Sequence, residues 1–257
     1  MNEPRFARLQ RSLEQGFELA PKAVLQEAWG RIYGAKMPIL LAAIGVVGCW
    51  LLLNQLLVMA TGEGEDGMWG ASLMGLAISM IMAPMSGGLD MMGIYRAVDR
   101  PIRPSQIFDY FRYLVPLALA SMIMGLITSL FLPLGQSLGL PPMLSLLPTL
   151  VLSVALMFTF PLILEKGMTP LQAILTSLRL FARQWMAMLL IHMLLVLCFM
   201  VGVMTFGIGL IWVAPLYVVV KGIIYREACG IEGAGSVVSE GESQPSSFNQ
   251  SKDHFDA

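Results

Sequence analysis

The chain has 257 residues, of which 56% are hydrophobic and 13% are charged, and its mean hydropathy is +0.72. Because soluble domains are about one-quarter charged, this composition excludes an ordinary soluble protein and predicts a polytopic membrane protein. The formal net charge of −1 supports neither nucleic acid nor an acidic substrate as a partner, and we expect no nucleic-acid partner.

The chain begins with a polar segment, residues 1–20, which mixes both signs of charge and shows no convincing core face. We expect this segment to be loosely ordered. Pro21 follows it and favours a helix start, because the missing N–H of proline costs nothing at the first helical position. Apolar residues on one side of the stretch 22–33 predict a helix that lies in the lipid headgroup layer. The first membrane span is predicted over 38–60.

The second span is predicted from Trp69 to near Gly93, after a short acidic loop over 61–67. Pro84, Gly87 and Gly88 lie inside this span. Proline frees a backbone carbonyl and glycine thins the helix surface, so we expect a kink or the close approach of another helix there.

The next basic segment, 96–112, is predicted to form a second interfacial helix. Pro104 opens it, and Ile107, Phe108 and Phe111 fall on one side. The stretch 113–164 then carries no charge and is too long for one crossing of about 20 residues. Glycines and prolines near its middle divide it into two spans, 114–134 and 143–164.

The segment 169–226 repeats this order once more. Thr169, Pro170 and Gln172 fit a capping box with proline at the first helical position, so a third interfacial helix begins here. Trp185 marks the membrane interface, and the uncharged stretch 186–206 is long enough for a span. A glycine turn at 207–209 leads into a short sixth span over 210–224, which must be an antiparallel neighbour of the fifth.

The predicted fold is therefore all-α, with six transmembrane helices in three hairpins and interfacial helices on the cytoplasmic face. The membrane domain covers residues 21–228. The tail, 229–257, is rich in Gly, Ser, Glu and Gln and is expected to be disordered in the cytoplasm.

The sixteen Lys and Arg residues set the orientation. None falls in the loops after spans one, three or five. By the positive-inside rule, both termini are expected in the cytoplasm, and we expect the protein in the bacterial inner membrane.

Prolines occupy corresponding positions in the three units. They open the interfacial helices at Pro21, Pro104 and Pro170, and they lie in the returning spans at Pro84, Pro161 and Pro215. This pattern favours a threefold internal repeat. The alternative is that membrane helices commonly carry prolines and the match is incidental.

Two stretches, 83–111 and 160–230, carry a resemblance to a known group of proteins. The positions that carry it are Ala83-Pro84, Gly87-Gly88, Tyr95, Ile107-Phe108, Phe160-Pro161, Glu165, Ala173, Ser177, Gly207, Gly209, Pro215 and Tyr225. On these positions the chain resembles bacterial six-span proteins that include the membrane domain attached to glycerophosphodiester phosphodiesterases and the YciC-like proteins. The resemblance covers most of 21–230 and implies a fold but no chemistry. We expect no phosphodiesterase activity, because the tail is too short to hold a soluble catalytic domain.

Asp90 and Lys221 are the most informative charges, because they fall within predicted spans two and six, where ionisable groups are costly and often functional. Each lies six residues after the proline of its span. Both spans run in the same direction, so the two side chains are expected at a similar depth and could pair. The interpretation favoured by the sequence is that each reaches the cytoplasmic surface independently by snorkelling.

Basic residues of the interfacial segments are the second candidate site. We expect membrane lipids as their partners, with each residue contributing about 1 kcal/mol near an anionic surface. The alternative is that they only set the topology. These residues are Lys22, Arg31, Arg100, Arg103, Arg179 and Arg183.

Other polar residues in the spans are interpreted as structural. His192 has no second His, Cys or carboxylate at i+3 or i+4, so a hydrogen bond to a neighbouring helix is favoured over a metal ligand or a proton relay. Asn54 is interpreted in the same way. Glu165 and Lys166 end the fourth span and are expected only to anchor it.

The chain carries no Walker motif, HExxH or nucleophile elbow. Cys49, Cys198 and Cys229 share no close spacing and are interpreted as small hydrophobic residues. We therefore expect no enzyme activity, no metal and no cofactor. The first functional hypothesis is a non-enzymatic membrane scaffold or accessory factor in envelope homeostasis. The alternative is a transporter or channel for a small or amphipathic solute, for which the proline-broken spans and the shared depth of Asp90 and Lys221 are the support.

Overall fold

The structure, a computed structural model, describes residues 6–61, 67–130, 134–135, 137–139 and 141–231. This part of the chain is all-helical and contains no strand. Five of its helical segments are long and apolar enough to cross a membrane, and they are Lys36–Leu56, Leu73–Ala97, Pro104–Ser129, Leu147–Lys166 and Trp185–Met204. The protein is therefore an all-α membrane protein.

The first helix, α1 (Ala7–Gln15), lies in the segment that we expected to be loosely ordered. Leu9 and Ser12 are buried, and the guanidinium of Arg8 lies 2.9 Å from a carboxylate oxygen of Glu227. This helix thus packs on the last helix of the chain. The expectation missed it because Leu9 is the one apolar residue of α1 that is fully buried, which makes too weak a pattern to predict a core face.

The helices α2 (Pro21–Ile32), α3 (Lys36–Thr61) and α4 (Gly67–Ala97) follow. Pro21 is the first residue of α2, as the sequence predicts. Helix α4 continues through Pro84. Of the two expected features, a kink or a close approach, the structure shows the close approach of other segments at the glycines after this proline. Gly88 faces the backbone of Ile107, and Gly87 faces the side chains of Leu164 and Phe160. The acidic residues of the loop before α4 lie outside the described residues.

The predicted second interfacial helix is two short 3-10 helices, Pro104–Phe108 and Phe111–Tyr113. Ile107 is buried against Gly88, whereas Phe108 and Phe111 are exposed and stack with ring centroids 6.2 Å apart. The prediction that these three share one side is wrong. Gly88 has no side chain, so Ile107 can pack directly against α4, and the helix is interrupted after Phe108. Helix α5 (Leu114–Ser129) comes next.

The predicted fourth span is broken into α6 (Pro142–Ala155) and α7 (Thr159–Lys166). Ser177 satisfies the backbone groups that this break leaves open. Its hydroxyl donates to the carbonyl of Ala155 at 2.6 Å and accepts from the N–H of Phe158 at 3.2 Å. A side chain of this kind is what allows a helix break at membrane depth.

Helix α8 (Pro170–Met204) joins the third interfacial helix to a span. The side chain of Gln172 accepts a hydrogen bond from the N–H of Thr169 at 3.4 Å, as the capping box predicts. The backbone is non-helical at Gln184, directly before Trp185, where the sequence places the interface. The amide of Gln184 donates to the carbonyl of Phe17 at 2.5 Å and fixes this kink.

The last helix, α9 (Leu210–Cys229), has many buried residues although it carries Lys221, Arg226 and Glu227. Because of these charges it is not among the five apolar segments. It contacts α1, α2, α3, α4 and α8, and most of its residues from Pro215 to Cys229 are buried. A helix that carries three charged residues is therefore packed among five others. The predicted disordered tail lies outside the described residues from 232 onward.

Candidate functional site

Helices α4 and α9 touch through their backbones at Gly93 and Gly222. A Cβ atom on Gly93 would collide with the carbonyl oxygen of Val218, and one on Gly222 would collide with the carbonyl of Gly93. Small residues allow membrane helices to approach this closely. The crossing fixes the relative depth of the side chains on both helices.

Asp90 and Lys221 lie within one turn of this crossing and form an ion pair. The ammonium of Lys221 donates to Oδ2 of Asp90 at 2.7 Å. Their side chains are 12% and 13% exposed, respectively. The structure thus brings the two charges together, and the interpretation that each snorkels alone is wrong. The glycine crossing brings the two helices so close that the ammonium reaches the carboxylate. The ion pair then offsets the cost of burying either charge.

A second buried charged pair, Glu165 and Lys166 on α7, was interpreted from the sequence only as an anchor. The two side chains lie 3.2 Å apart and both are almost fully buried. The hydroxyl of Tyr225, one turn beyond Lys221 on α9, donates to Glu165 at 2.5 Å. The sequence contains a signal for this pair. Glu165 and Lys166 lie four and five residues after Pro161, a spacing similar to the six residues between Pro84 and Asp90.

Arg226 joins the C-terminal end of α9, which we expect on the cytoplasmic side, to two neighbouring helices. This guanidinium donates to both carboxylate oxygens of Glu27, at 2.7 and 2.9 Å, and to the carbonyl of Ala97 at 2.8 Å. The hydrogen bonds from Arg226 hold the pKa of Glu27 below its ordinary value. Arg226 therefore links α2, α4 and α9 by hydrogen bonds, five residues along α9 from the partly buried Lys221.

Five of the six basic residues predicted to contact lipid have exposed side chains, and the sixth does not. Arg31 is 22% exposed, lies 2.7 Å from Glu27 and 2.6 Å from Asp99, and donates to the carbonyl of Arg96. It connects α2 to α4, so the structure does not place it as a lipid contact. The exposed residues are Lys22, Arg100, Arg103, Arg179 and Arg183.

The polar side chains predicted to bond to neighbouring helices bond to their own helix. Nδ1 of His192 lies 2.8 Å from the carbonyl of Met188, and the amide of Asn54 donates to the carbonyl of Trp50 at 2.8 Å. Both contacts span four residues. This is the local bond that a polar side chain in a helix can always make, so the prediction of an interhelical bond is wrong for both residues.

An apolar pocket of about 370 Å³ lies beside the Asp90–Lys221 pair. Five helices line it, α3, α4, α6, α8 and α9. The neighbours of the ion pair, Leu89 and Val218, form part of its wall, and its polar residues are Ser153, His192 and Tyr217. Its volume falls at the small end of the range for ligand sites, which is about 300–1,000 Å³.

The described residues contain no group of three or more His, Cys, Asp or Glu side chains that could hold a metal ion. The three cysteines are unpaired. Cys229 is buried, and Cys49 and Cys198 are partly buried.

Comparisons with known proteins found no match to this chain among family models, curated proteins or solved structures. The resemblance to bacterial six-span proteins stays a prediction, and the candidate site stands on its own geometry.

Proposed function

We propose that the protein lies in the bacterial inner membrane with six spans in three hairpins and both termini in the cytoplasm. The finding that supports a sixth span is the position of α9. Its first eleven residues, up to Val220, carry no charge, and the charge of Lys221 is neutralised by Asp90 on a helix that is long and apolar enough to cross a membrane. An internal partner reduces the cost of an ionised group at membrane depth.

Within that membrane, we propose a non-enzymatic scaffold or accessory factor in envelope homeostasis. The observation that carries this proposal is the closed contact between α4 and α9. The glycine crossing puts the two backbones against each other, and the paired charges satisfy each other beside it. This contact closes the space between the two helices at the crossing, which suits a rigid membrane core that works through its surface.

The alternative is a transporter or channel for a small or amphipathic solute. Such a function favours a polar cavity that reaches the middle of the membrane from Asp90. The pocket described beside this residue has mainly apolar walls. We therefore place transport second to the scaffold.

The proposed partner of the scaffold surface is the anionic inner leaflet, bound in part by Arg179 and Arg183. Both are exposed on the first half of α8, and each basic residue near such a surface contributes about 1 kcal/mol. We expect the double variant Arg179→Gln, Arg183→Gln to co-purify with several-fold less anionic phospholipid than the wild type, measured by mass spectrometry of the extracted lipids.

The matched control for this experiment is Ala182→Gln, which adds the same new side chain at an exposed uncharged position next to Arg183 on α8. It is expected to retain wild-type amounts of lipid. Equal retention of anionic lipid by the wild type and the double variant would count against lipid binding and leave these arginines as topology signals alone.

A further inference from the structure

His192 contributes to the pocket beside the ion pair a polar atom that no described residue satisfies. His192 lines the pocket and is only 7% exposed. Its Nδ1 lies 2.8 Å from the carbonyl of Met188, and because a carbonyl can only accept, Nδ1 carries the proton. No hydrogen bond joins Nε2 of His192 to any residue in the described part of the chain. Burial in apolar surroundings disfavours the charged imidazolium, so Nε2 is an unprotonated acceptor that no described residue uses.

The pocket is open on the side where Phe199 and Tyr217 lie, since both of these side chains are exposed whereas Leu195 and Val218 are buried. The ring of Tyr217 meets that of His192 edge-on, with centroids 6.1 Å apart. An apolar chain from the surrounding bilayer can thus enter past two aromatic rings and end at the imidazole. Within the described part of the chain Nε2 has no donor partner, so a ligand that donates one hydrogen bond there gains affinity over one that cannot.

We propose that this pocket binds a single apolar chain that carries a hydroxyl group, with the hydroxyl donating to Nε2 of His192. The volume, about 370 Å³, suits one chain and is small for a molecule with several. A carboxylate is disfavoured because it cannot donate and because the nearby ammonium of Lys221 is bound to Asp90. This inference goes beyond the scaffold proposal and does not depend on it.

The test uses the full chain reconstituted in phosphatidylcholine nanodiscs and two tritiated probes, a long-chain primary alcohol and the methyl ether of the same alcohol. The ether fills the pocket equally but has no proton to donate. Because a hydrogen bond to a buried acceptor contributes about 1 kcal/mol, the alcohol is expected to bind the wild type roughly fivefold more tightly than the ether. This comparison uses only the wild-type protein, so it does not depend on whether a variant folds.

Three variants then locate the binding. His192→Phe keeps an aromatic ring beside Tyr217 but removes the acceptor, and it is expected to bind alcohol and ether alike. Ala214→Phe places a ring within the pocket and is expected to lose both probes. Leu190→Phe, an exposed position on α8 that does not line the pocket, is the control and is expected to bind both probes as the wild type does.

Two results would overturn the inference. One is the absence of saturable alcohol binding to the wild type. The other is equal affinity of the wild type for alcohol and ether, which would show that any chain in the pocket is held without the imidazole. The expected pattern is a preference for alcohol in the wild type and in Leu190→Phe that disappears in His192→Phe.

Discussion

Substituting Gly222 by alanine is expected to destabilise the protein by about 3 kcal/mol or more, at or above the upper end of the usual cost of overpacking. The added Cβ would collide with the carbonyl of Gly93 and the N–H of Ile94. Backbone atoms cannot turn aside as a side chain can, so α4 and α9 would have to separate. Thermal unfolding in detergent should show a large loss of stability.

The matched control is Gly75→Ala on α4, where a Cβ meets nothing within 4 Å. Because alanine has a higher helix propensity than glycine, this variant is expected to be as stable as the wild type or more stable by up to about 1 kcal/mol. Gly93→Ala should resemble Gly222→Ala, and the double variant should lose little more than either single one, since both break the same crossing. Wild-type stability of Gly222→Ala would contradict the described contact of α4 and α9.

Removing one charge of the Asp90–Lys221 pair is expected to destabilise the protein more than removing both. Asp90→Asn and Lys221→Gln each leave a buried charge without its partner, which costs about 3–5 kcal/mol in buried pairs. The double variant Asp90→Asn, Lys221→Gln leaves two neutral polar groups and is expected to recover a large part of that loss. A double-mutant cycle of thermal stability in detergent measures this non-additivity.

The control cycle combines Lys221→Gln with Asp109→Asn. Asp109 is exposed on the segment after the first 3-10 helix, and it is not the partner of Lys221. The two effects are expected to add. If the losses of Asp90→Asn and Lys221→Gln also add, the charges do not stabilise each other and the proposed closed core loses its electrostatic support.

Local signals in the sequence predicted two helix starts correctly. Pro21 and Pro170 begin helices because proline fits the first turn, and Gln172 caps the helix that Thr169 precedes. Trp185 follows the kink in α8. The two helix starts and the cap depend on residues within a few positions, so one stretch of sequence contains their whole cause. The kink also involves Phe17, whose carbonyl accepts from the amide of Gln184.

The contacts of the candidate site depend on residues far apart in the chain, and the sequence predicted fewer of them. Lys221 and Asp90 are 131 positions apart, and the choice between pairing and snorkelling is decided by the glycine crossing, which has no periodic signature. The break after Ala155 depends on Ser177 from α8. The burial of Glu165 depends on Tyr225 from α9. In each case a tertiary contact, absent from the local pattern, decides the outcome.

The central claim is that α9 is a sixth span, and it is tested most directly by labelling single cysteines in intact cells with an impermeant maleimide. The background replaces Cys49, Cys198 and Cys229 by alanine. We expect labelling at Phe206→Cys, which is fully exposed before α9, and no labelling at Glu240→Cys, beyond the described residues. Labelling at both positions, or at neither, would contradict a crossing by α9.

The same experiment orients the rest of the chain. Cysteines at Leu138 and at Gly64, the latter outside the described residues, are expected to react from outside, and one at Arg100 is expected to react only after the cells are permeabilised. Reaction at position 100 in intact cells would contradict the six-span topology with both termini in the cytoplasm.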